Sequence, residues 1–174
     1  MSSVLLVGDS HLDAVRGGRL SALEAAVGTS VANHAVGGSG VYDVPAQLTA
    51  VADDVDRVVL SLGTNDCAPW KAIPFGEFEP ALARLLTVLP GSVVYLAPPG
   101  VDDTRLGPED PTTAGVARYT EAARAAVARI GGTTLDTPAV LAVLGNDAFV
   151  EDGVHLTERA YELVLPALAK MLSG

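Results

Sequence analysis

The sequence has a single cysteine, few basic residues and no long apolar run. Cys67 is the one cysteine among 174 residues, which excludes a disulfide within the chain and a cysteine-rich metal site. Lysine and arginine number 11 against 21 aspartates and glutamates, so the net charge is −10. No cluster of basic residues is available to contact a phosphate backbone. The composition therefore predicts that nucleic acid is not a partner.

The apolar runs are also too short for a membrane protein. None approaches the roughly 20 residues that a membrane-spanning helix needs. Met1-Ser2-Ser3 lacks the basic residues that open a secretion signal, and the apolar run 4–7 is too short to continue one. We therefore expect a cytoplasmic protein with no membrane partner.

Strand-like runs alternate with helix-like stretches along the whole chain. Five runs rich in β-branched residues lie at 4–7, 30–36, 58–62, 93–96 and 133–135. Such nearly continuous apolar runs are typical of parallel strands that are buried on both faces. Helices are expected around 20–27, 44–55, 78–89, 112–130, 139–144 and 157–172, with Asp110-Pro111 as the start signal of the fourth. The alternation predicts one α/β sandwich domain over residues 1–174.

Polar residues follow the strand-like runs, where ligands bind in open α/β sheets. Gly8-Asp9-Ser10-His11 follows the first run, Gly37-Gly38-Ser39-Gly40 the second and Gly63-Thr64-Asn65-Asp66 the third. Asp152-Gly153-Val154-His155 precedes the last helix. We expect these four segments to form one site.

The residue types in these segments match the needs of acyl transfer. That chemistry requires a nucleophile, a base, a group that orients the base, and donors for the developing oxyanion. Ser10, His155 and Asp152 fit the first three roles, and Gly38 and Asn65 fit the last. The elbow pattern G-x-S-x-G is absent, because Leu12 stands where its second glycine would be, which argues against the α/β-hydrolase fold.

The four segments together resemble the sequence blocks of the SGNH hydrolases, also called GDSL-type esterases and lipases. The resemblance extends in order over nearly the whole chain. It implies a three-layer α/β/α sandwich, flavodoxin-like, with a parallel sheet of about five strands. It also implies that Ser10 is the nucleophile, with Asp152 and His155 completing the catalytic triad. The backbone N–H groups of Ser10 and Gly38 and the side chain of Asn65 would form the oxyanion hole.

The reaction that this resemblance implies is cleavage of a carboxylic ester through an acyl-enzyme on Ser10. A small-molecule ester or thioester is the expected partner. Because the short chain has no insertion to serve as a lid, we expect small or polar acyl esters, or a substrate held by a partner surface, instead of bulk lipid. Deacetylation, thioester hydrolysis and acyl transfer in a biosynthetic pathway remain alternatives. No metal or organic cofactor is required.

A different class of function would use the carboxylates at the strand ends. Asp9, Asp66 and Asp136 each follow a strand-like run, and such residues hold Mg²⁺ in phosphoryl-transfer enzymes and receiver domains. Against this alternative, the lysines are Lys71 and Lys170, neither near Asp136, and there is no P-loop. Asp9 and Asp66 are instead interpreted as structural.

Several further residues have open roles at this stage. His11 stands where many family members have an apolar residue, and we expect it to line the pocket, to select polar groups of the substrate or to face solvent. His34 and Cys67 are interpreted as packed residues. Three aromatic residues are expected either to wall the acyl pocket or to cover the core: Tyr42, Trp70 and Phe75.

Overall fold

Five parallel strands form the centre of the molecule. The computed structural model describes residues 3–49, 51 and 54–174. Within these ranges the strands are β1 Ser3–Gly8, β2 Ser30–Asn33, β3 Arg57–Ser61, β4 Ser92–Leu96 and β5 Thr133–Leu135. They are ordered β2-β1-β3-β4-β5, and every neighbouring pair is parallel. This is the flavodoxin-like order, which places a ligand site at the ends of β1 and β3.

Helices cover both faces of the sheet. They are α1 Ser10–Asp13, α2 Gly18–Val27, α3 Val44–Gln47, α4 Phe75–Leu86, α5 Thr113–Arg129, α6 Thr137–Leu141 and α7 Glu158–Leu172, with a 3₁₀ turn at Gly145–Ala148. One core cluster joins the sheet to α2, α6 and α7, and a second joins it to α3, α4 and α5. The architecture is therefore a three-layer α/β/α sandwich.

Alternation along β1 explains why both faces are apolar. Val4 and Leu6 belong to the first core cluster, whereas Leu5 and Val7 belong to the second. All four side chains are buried, because successive residues of a strand point to opposite faces and helices cover both faces of this sheet.

Within the described ranges, no helix combines the length and the apolar content that crossing a bilayer requires.

Some element boundaries differ from those that the sequence predicts. The second strand ends at Asn33 instead of residue 36, where the Asn33 amide donates to the carbonyls of Leu12 and Val15. Beyond it, the backbone N–H groups of His34 and Val36 still donate to the carbonyls of Leu6 and Gly8 on β1. The helix expected over 44–55 is the single turn α3; residues 50, 52 and 53 lie outside the described ranges. The helix expected from residue 112 starts at Thr113, capped by Thr112 instead of Asp110.

The turn after β1 positions the first candidate site segment. Gly8 has φ +128, and a Cβ there would lie 2.0 Å from the carbonyl oxygen of Ser61 on the neighbouring strand. Any larger residue would therefore push β1 and β3 apart. The buried Gln47 side chain accepts from the Gly8 N–H at 2.7 Å and donates to the Gly8 carbonyl at 2.9 Å. These contacts hold the end of β1 against α3.

Candidate active site

One cleft at the carboxyl ends of the strands contains all the sequence-predicted site residues. Its volume is about 190 Å³. It is lined by Ser10, Gly38, Asn65, Trp70, Asp110, Pro111, Asp152, Val154 and His155. The fold thus brings together residues from four segments that are distant from one another in the chain.

Ser10 is the first residue of α1, in the segment 8–13 that we name the nucleophile segment. Asp9 caps this short helix, and its carboxylate accepts from the backbone N–H of His11 at 3.1 Å. The Ser61 hydroxyl donates to the same carboxylate at 2.8 Å. Because the first N–H groups of a helix have no acceptor inside it, the Ser10 N–H is free to face a ligand.

Asp152 and His155 form a hydrogen-bonded pair on residues 149–155, which we name the histidine loop. Nδ1 of His155 lies 2.6 Å from Oδ2 of Asp152. Oδ1 of Asp152 accepts from the backbone N–H groups of Val154 and His155, both at 2.9 Å. Partial burial raises the pKa of Asp152, but the bonds from His155 and Val154 outweigh it and leave that pKa below its ordinary value. The carboxylate therefore holds the His155 proton on Nδ1 and leaves Nε2 available as a base.

The serine and the histidine share the cleft without a direct bond. Within the described part of the chain, the Ser10 hydroxyl makes no hydrogen bond to His155. Such contacts commonly tighten only when substrate is bound. The side chains of His155 and Asp152 are 52% and 48% exposed, so water reaches the pair directly.

Gly38 and Asn65 face the cleft from the loops after β2 and β3. Gly38 has φ +78, a backbone conformation that favours glycine. A Cβ added to Gly38 would have the Trp70 ring as its nearest neighbour, at 3.7 Å. The backbone conformation, and not a lack of space, therefore requires glycine here. The N–H of Gly37 donates to Asp13 at 3.1 Å, so of the two glycines it is Gly37 whose N–H is already engaged. Nδ2 of Asn65 donates one proton to the Ser39 carbonyl at 2.9 Å, and its second N–H remains for a ligand.

Lys71 supports the Gly38 loop, a role that the sequence analysis missed. Its Nζ donates to the Gly38 carbonyl at 3.1 Å and pairs with Asp43 at 2.6 Å. A lysine beside a turn has no local pattern that reveals this contact, because Gly38 lies 33 positions away.

The histidine loop is also held by residues that the sequence analysis missed. Arg105 donates to the carbonyls of Phe149 and Val150 at 3.0 and 2.9 Å, and its Nε lies 3.0 Å from Asp102. The Asp102 N–H donates to the Gly153 carbonyl at 2.8 Å. The loop before α5 thus fixes the backbone from which Asp152 and His155 project.

His11 differs from all three roles expected for it. Its side chain is only 2% exposed, and it neither lines the cleft nor faces solvent. The ring instead points inward, between the Asp9 carboxylate and the backbone carbonyl of Val154. The sequence does not predict this orientation, because no local pattern around a histidine next to a serine determines the direction of its side chain in the first turn of a helix.

The carboxylates considered for Mg²⁺ binding are engaged with separate partners. Asp9 contacts His11 and Ser61. Asp66 accepts from the backbone N–H groups of Val41 and Gly63, and burial raises its pKa to about 6 despite these bonds. Asp136 is half exposed and lies 3.6 Å from Arg124. Among the described residues, no group of three or more potential ligands is arranged to hold a metal ion.

The remaining candidates have distinct places. Trp70 lines the cleft, and Tyr42 lines a larger groove of about 670 Å³ that continues from Gly38. Phe75 lines neither the cleft nor the groove, since its ring packs on Tyr119 with 5.2 Å between the ring centroids.

His34 is partly buried, with Nδ1 2.9 Å from the Gln47 carbonyl. The Cys67 thiol donates to the Thr64 carbonyl, and burial raises the pKa of that thiol to about 12, so it is not a thiolate nucleophile.

Comparisons with known proteins identify the family of the chain. Residues 6–163 match the model of the GDSL-like lipase/acylhydrolase family. The chain belongs to this family and is an SGNH-type ester hydrolase. A search of the curated proteins found no match.

Solved structures with the same fold include several esterases. A lipase/acylhydrolase from Enterococcus faecalis is 25% identical, with a TM-score of 0.85 over 100% of this chain and 96% of that one. The acetylxylan esterase Axe2 from Geobacillus stearothermophilus is 20% identical, with a TM-score of 0.77 over 99% and 94%. LAE5, an alpha/beta hydrolase enzyme from the metagenome of Lake Arreo in Spain, is 20% identical, with a TM-score of 0.76 over 99% and 96%.

Proposed function

We propose that this protein hydrolyses carboxylic esters of small acyl groups through an acyl-enzyme on Ser10. The observation that carries the proposal is the gathering of Ser10, Asn65 and the Asp152–His155 pair around one cleft. Solved structures of the similar enzyme Axe2 include catalytic mutants of a serine and of a histidine, which supports these residue types in the same roles.

In the first half of the reaction, Ser10 Oγ attacks the carbonyl carbon while Nε2 of His155 takes the hydroxyl proton. Negative charge develops on the carbonyl oxygen. The N–H groups of Ser10 and Gly38 and the free amide N–H of Asn65 donate to that oxygen. The C–O bond to the alcohol then breaks, and the alcohol leaves with the proton from His155.

In the second half, water replaces the alcohol. His155 takes a proton from water as the water oxygen attacks the acyl carbon, and the proton returns to Ser10 Oγ as the acid leaves. The half-exposed Asp152–His155 pair gives water easy access, which supports hydrolysis over transfer of the acyl group to another acceptor. None of these steps requires a metal or an organic cofactor.

The shape of the cleft favours a small acyl group. The cleft holds about 190 Å³, while the groove that shares Gly38 with it holds about 670 Å³. An acyl group such as acetyl fits the smaller space, and the groove gives room for the rest of the substrate. The net charge of −10 supports a small-molecule substrate instead of a nucleic acid.

A substrate series tests the proposal. p-Nitrophenyl esters of increasing chain length, acetylated sugars and acyl thioesters would be compared, with Ser10→Ala as the matched control. We expect the highest kcat/KM for the shortest acyl groups and no turnover above background for Ser10→Ala. Equal rates for the variant and the wild type would contradict the acyl-enzyme, and a preference for long chains would contradict the small-acyl assignment.

A further inference from the structure

His11 connects the nucleophile segment to the histidine loop through its buried ring. Nδ1 lies 3.3 Å from Oδ1 of Asp9, and Nε2 lies 3.3 Å from the carbonyl oxygen of Val154. Val154 directly precedes His155, and His11 directly follows Ser10. The ring therefore bridges the two parts of the site that must stay aligned for catalysis.

Both ring nitrogens face oxygen atoms that act as acceptors. A backbone carbonyl can only accept. The Asp9 oxygen already accepts from the His11 N–H and from the Ser61 hydroxyl, as an ionised carboxylate does. A neutral imidazole has one N–H and would leave one of these contacts repulsive, whereas an imidazolium donates to both.

We propose that His11 acts as a positioning residue in its doubly protonated form, donating one N–H to Asp9 and the other to the Val154 carbonyl. These two bonds hold the histidine loop at a set distance from Ser10. This inference rests on the proposed function and assigns a residue that supports the triad without touching the substrate.

The charges around His11 fit this protonation state. Asp9 faces the ring directly, and the Asp152 carboxylate adds a favourable charge from the histidine loop. From α7, Tyr161 faces it with a neutral hydroxyl that donates to the His11 carbonyl at 2.9 Å. The centroid of the His155 ring lies 6.4 Å from the centroid of the His11 ring. The ion pair of His11 with Asp9 carries no net charge, so His155 faces a neutral pair.

Burial lowers the pKa of His11, but the Asp9 charge, the hydrogen bond to Asp9 and the bond to Val154 outweigh it, so the pKa of His11 lies above its ordinary value. Loss of the proton at alkaline pH removes one of the two donors. The histidine loop is then no longer bridged to the nucleophile segment by two hydrogen bonds of His11. His11 thereby sets an upper limit to the pH range of full activity.

The first test reads the protonation state directly. Long-range ¹H–¹⁵N NMR of the imidazole groups distinguishes protonated from bare ring nitrogens, and the chain has only three histidines. Variants His11→Gln and His34→Gln assign the signals. We expect both nitrogens of His11 to be protonated at neutral and lower pH and the ring to lose its proton above the ordinary histidine value of about 6.5. A ring with a single protonated nitrogen at and below pH 6.5 would overturn the proposal.

The second test separates positioning from a merely structural role. In His11→Gln, the longer amide reaches the Val154 carbonyl and does not titrate, so we expect kcat within about threefold of wild type and no alkaline decline. His11→Asn reaches only Asp9, and we expect kcat to fall about ten- to hundredfold with little change in KM, since small misplacements of reacting groups have effects of this size. In the wild type, the alkaline decline of kcat/KM should follow the NMR titration of His11.

Three results of this kinetic test would overturn the proposal, provided that thermal melts show folded proteins. They are an alkaline profile that does not follow the titration of His11, the same decline in His11→Gln, or unchanged kcat in His11→Asn. Failure of the proposed function is distinguishable, because absence of an acyl-enzyme on Ser10 would show in mass spectra while the NMR result still reports the proton state of His11.

Discussion

The nucleophile segment and the histidine loop carry the two halves of the proposed triad in contrasting environments. In the nucleophile segment, Asp9, His11 and Leu12 are at most 2% exposed. In the histidine loop, Asp152 and His155 are about half exposed and are held mainly by backbone bonds and by Arg105. In the proposed reaction, the buried contact of His11 with Asp9 would fix the position of Ser10, while His155 would stay open to water and to a departing alcohol.

The largest expected effect comes from removing the nucleophile itself. Ser10→Ala should lower kcat by about 10³-fold or more, since the reaction loses its covalent step. A fluorophosphonate probe should label Ser10 in the wild type and leave the variant unlabelled, as read by peptide mass spectrometry. Labelling at another residue with activity intact would move the nucleophile out of this segment.

The next largest effect is expected at Asn65, which lines the cleft from the loop after β3 and belongs to neither of the two regions. Asn65→Ala removes a donor that strengthens as charge develops, so kcat should fall about 10²–10³-fold, or roughly 3–4 kcal/mol, with little change in KM. Asp66→Asn is the neighbouring control: its carboxylate accepts two backbone N–H groups, so its loss should lower Tm more than kcat. Wild-type kcat in a folded Asn65→Ala protein would rule out the oxyanion hole.

A smaller effect is expected when the histidine loop loses its anchor. Arg105→Ala removes the bonds to the Phe149 and Val150 carbonyls, and we expect kcat to fall about tenfold, since misplacement of reacting groups by about 1 Å costs up to 10². Arg129→Ala, at the exposed end of α5, is the matched control and should leave kcat unchanged. If both variants have the same kcat, the loop does not depend on Arg105 for its alignment.

The smallest effect concerns the pH dependence of stability. The folded-state pKa of His11 is raised, so its contribution is complete below the unfolded pKa of about 6.5 and is lost as pH rises through the folded value. Burial raises the pKa of Asp9, but the charge and hydrogen bonds of His11 and the bond from Ser61 outweigh it and leave that pKa below its ordinary value, so the contribution of Asp9 is lost as pH falls through its folded value. The pair should therefore stabilise the protein most between about pH 4 and 6.5.

Denaturant unfolding at several pH values measures this effect. Above about pH 6.5, the wild-type free energy of unfolding should fall by up to about 1.4 kcal/mol per pH unit from this one proton. His11→Gln should lack that slope. A wild-type curve that is flat or rising between pH 6.5 and 8.5 would contradict the raised pKa of His11.

Much of the fold could be predicted because its signals are local. The buried parallel strands have continuous apolar runs, and β1, β3, β4 and β5 lie within two residues of their expected bounds. The second strand was the exception: it ends at Asn33, whose side chain donates to the carbonyls of Leu12 and Val15. A bond between residues some 20 positions apart has no signature in a local pattern.

The sequence by itself determined the sheet, the order of the site segments and the residue types with the chemistry of acyl transfer, because apolar periodicity and short motifs are properties of neighbouring residues. Only the tertiary structure decided which glycine keeps a free N–H, which arginine anchors the histidine loop and where His11 points. Those outcomes depend on contacts between segments distant in the chain. Such contacts exist only once the sheet has brought the carboxyl ends of its strands to one edge.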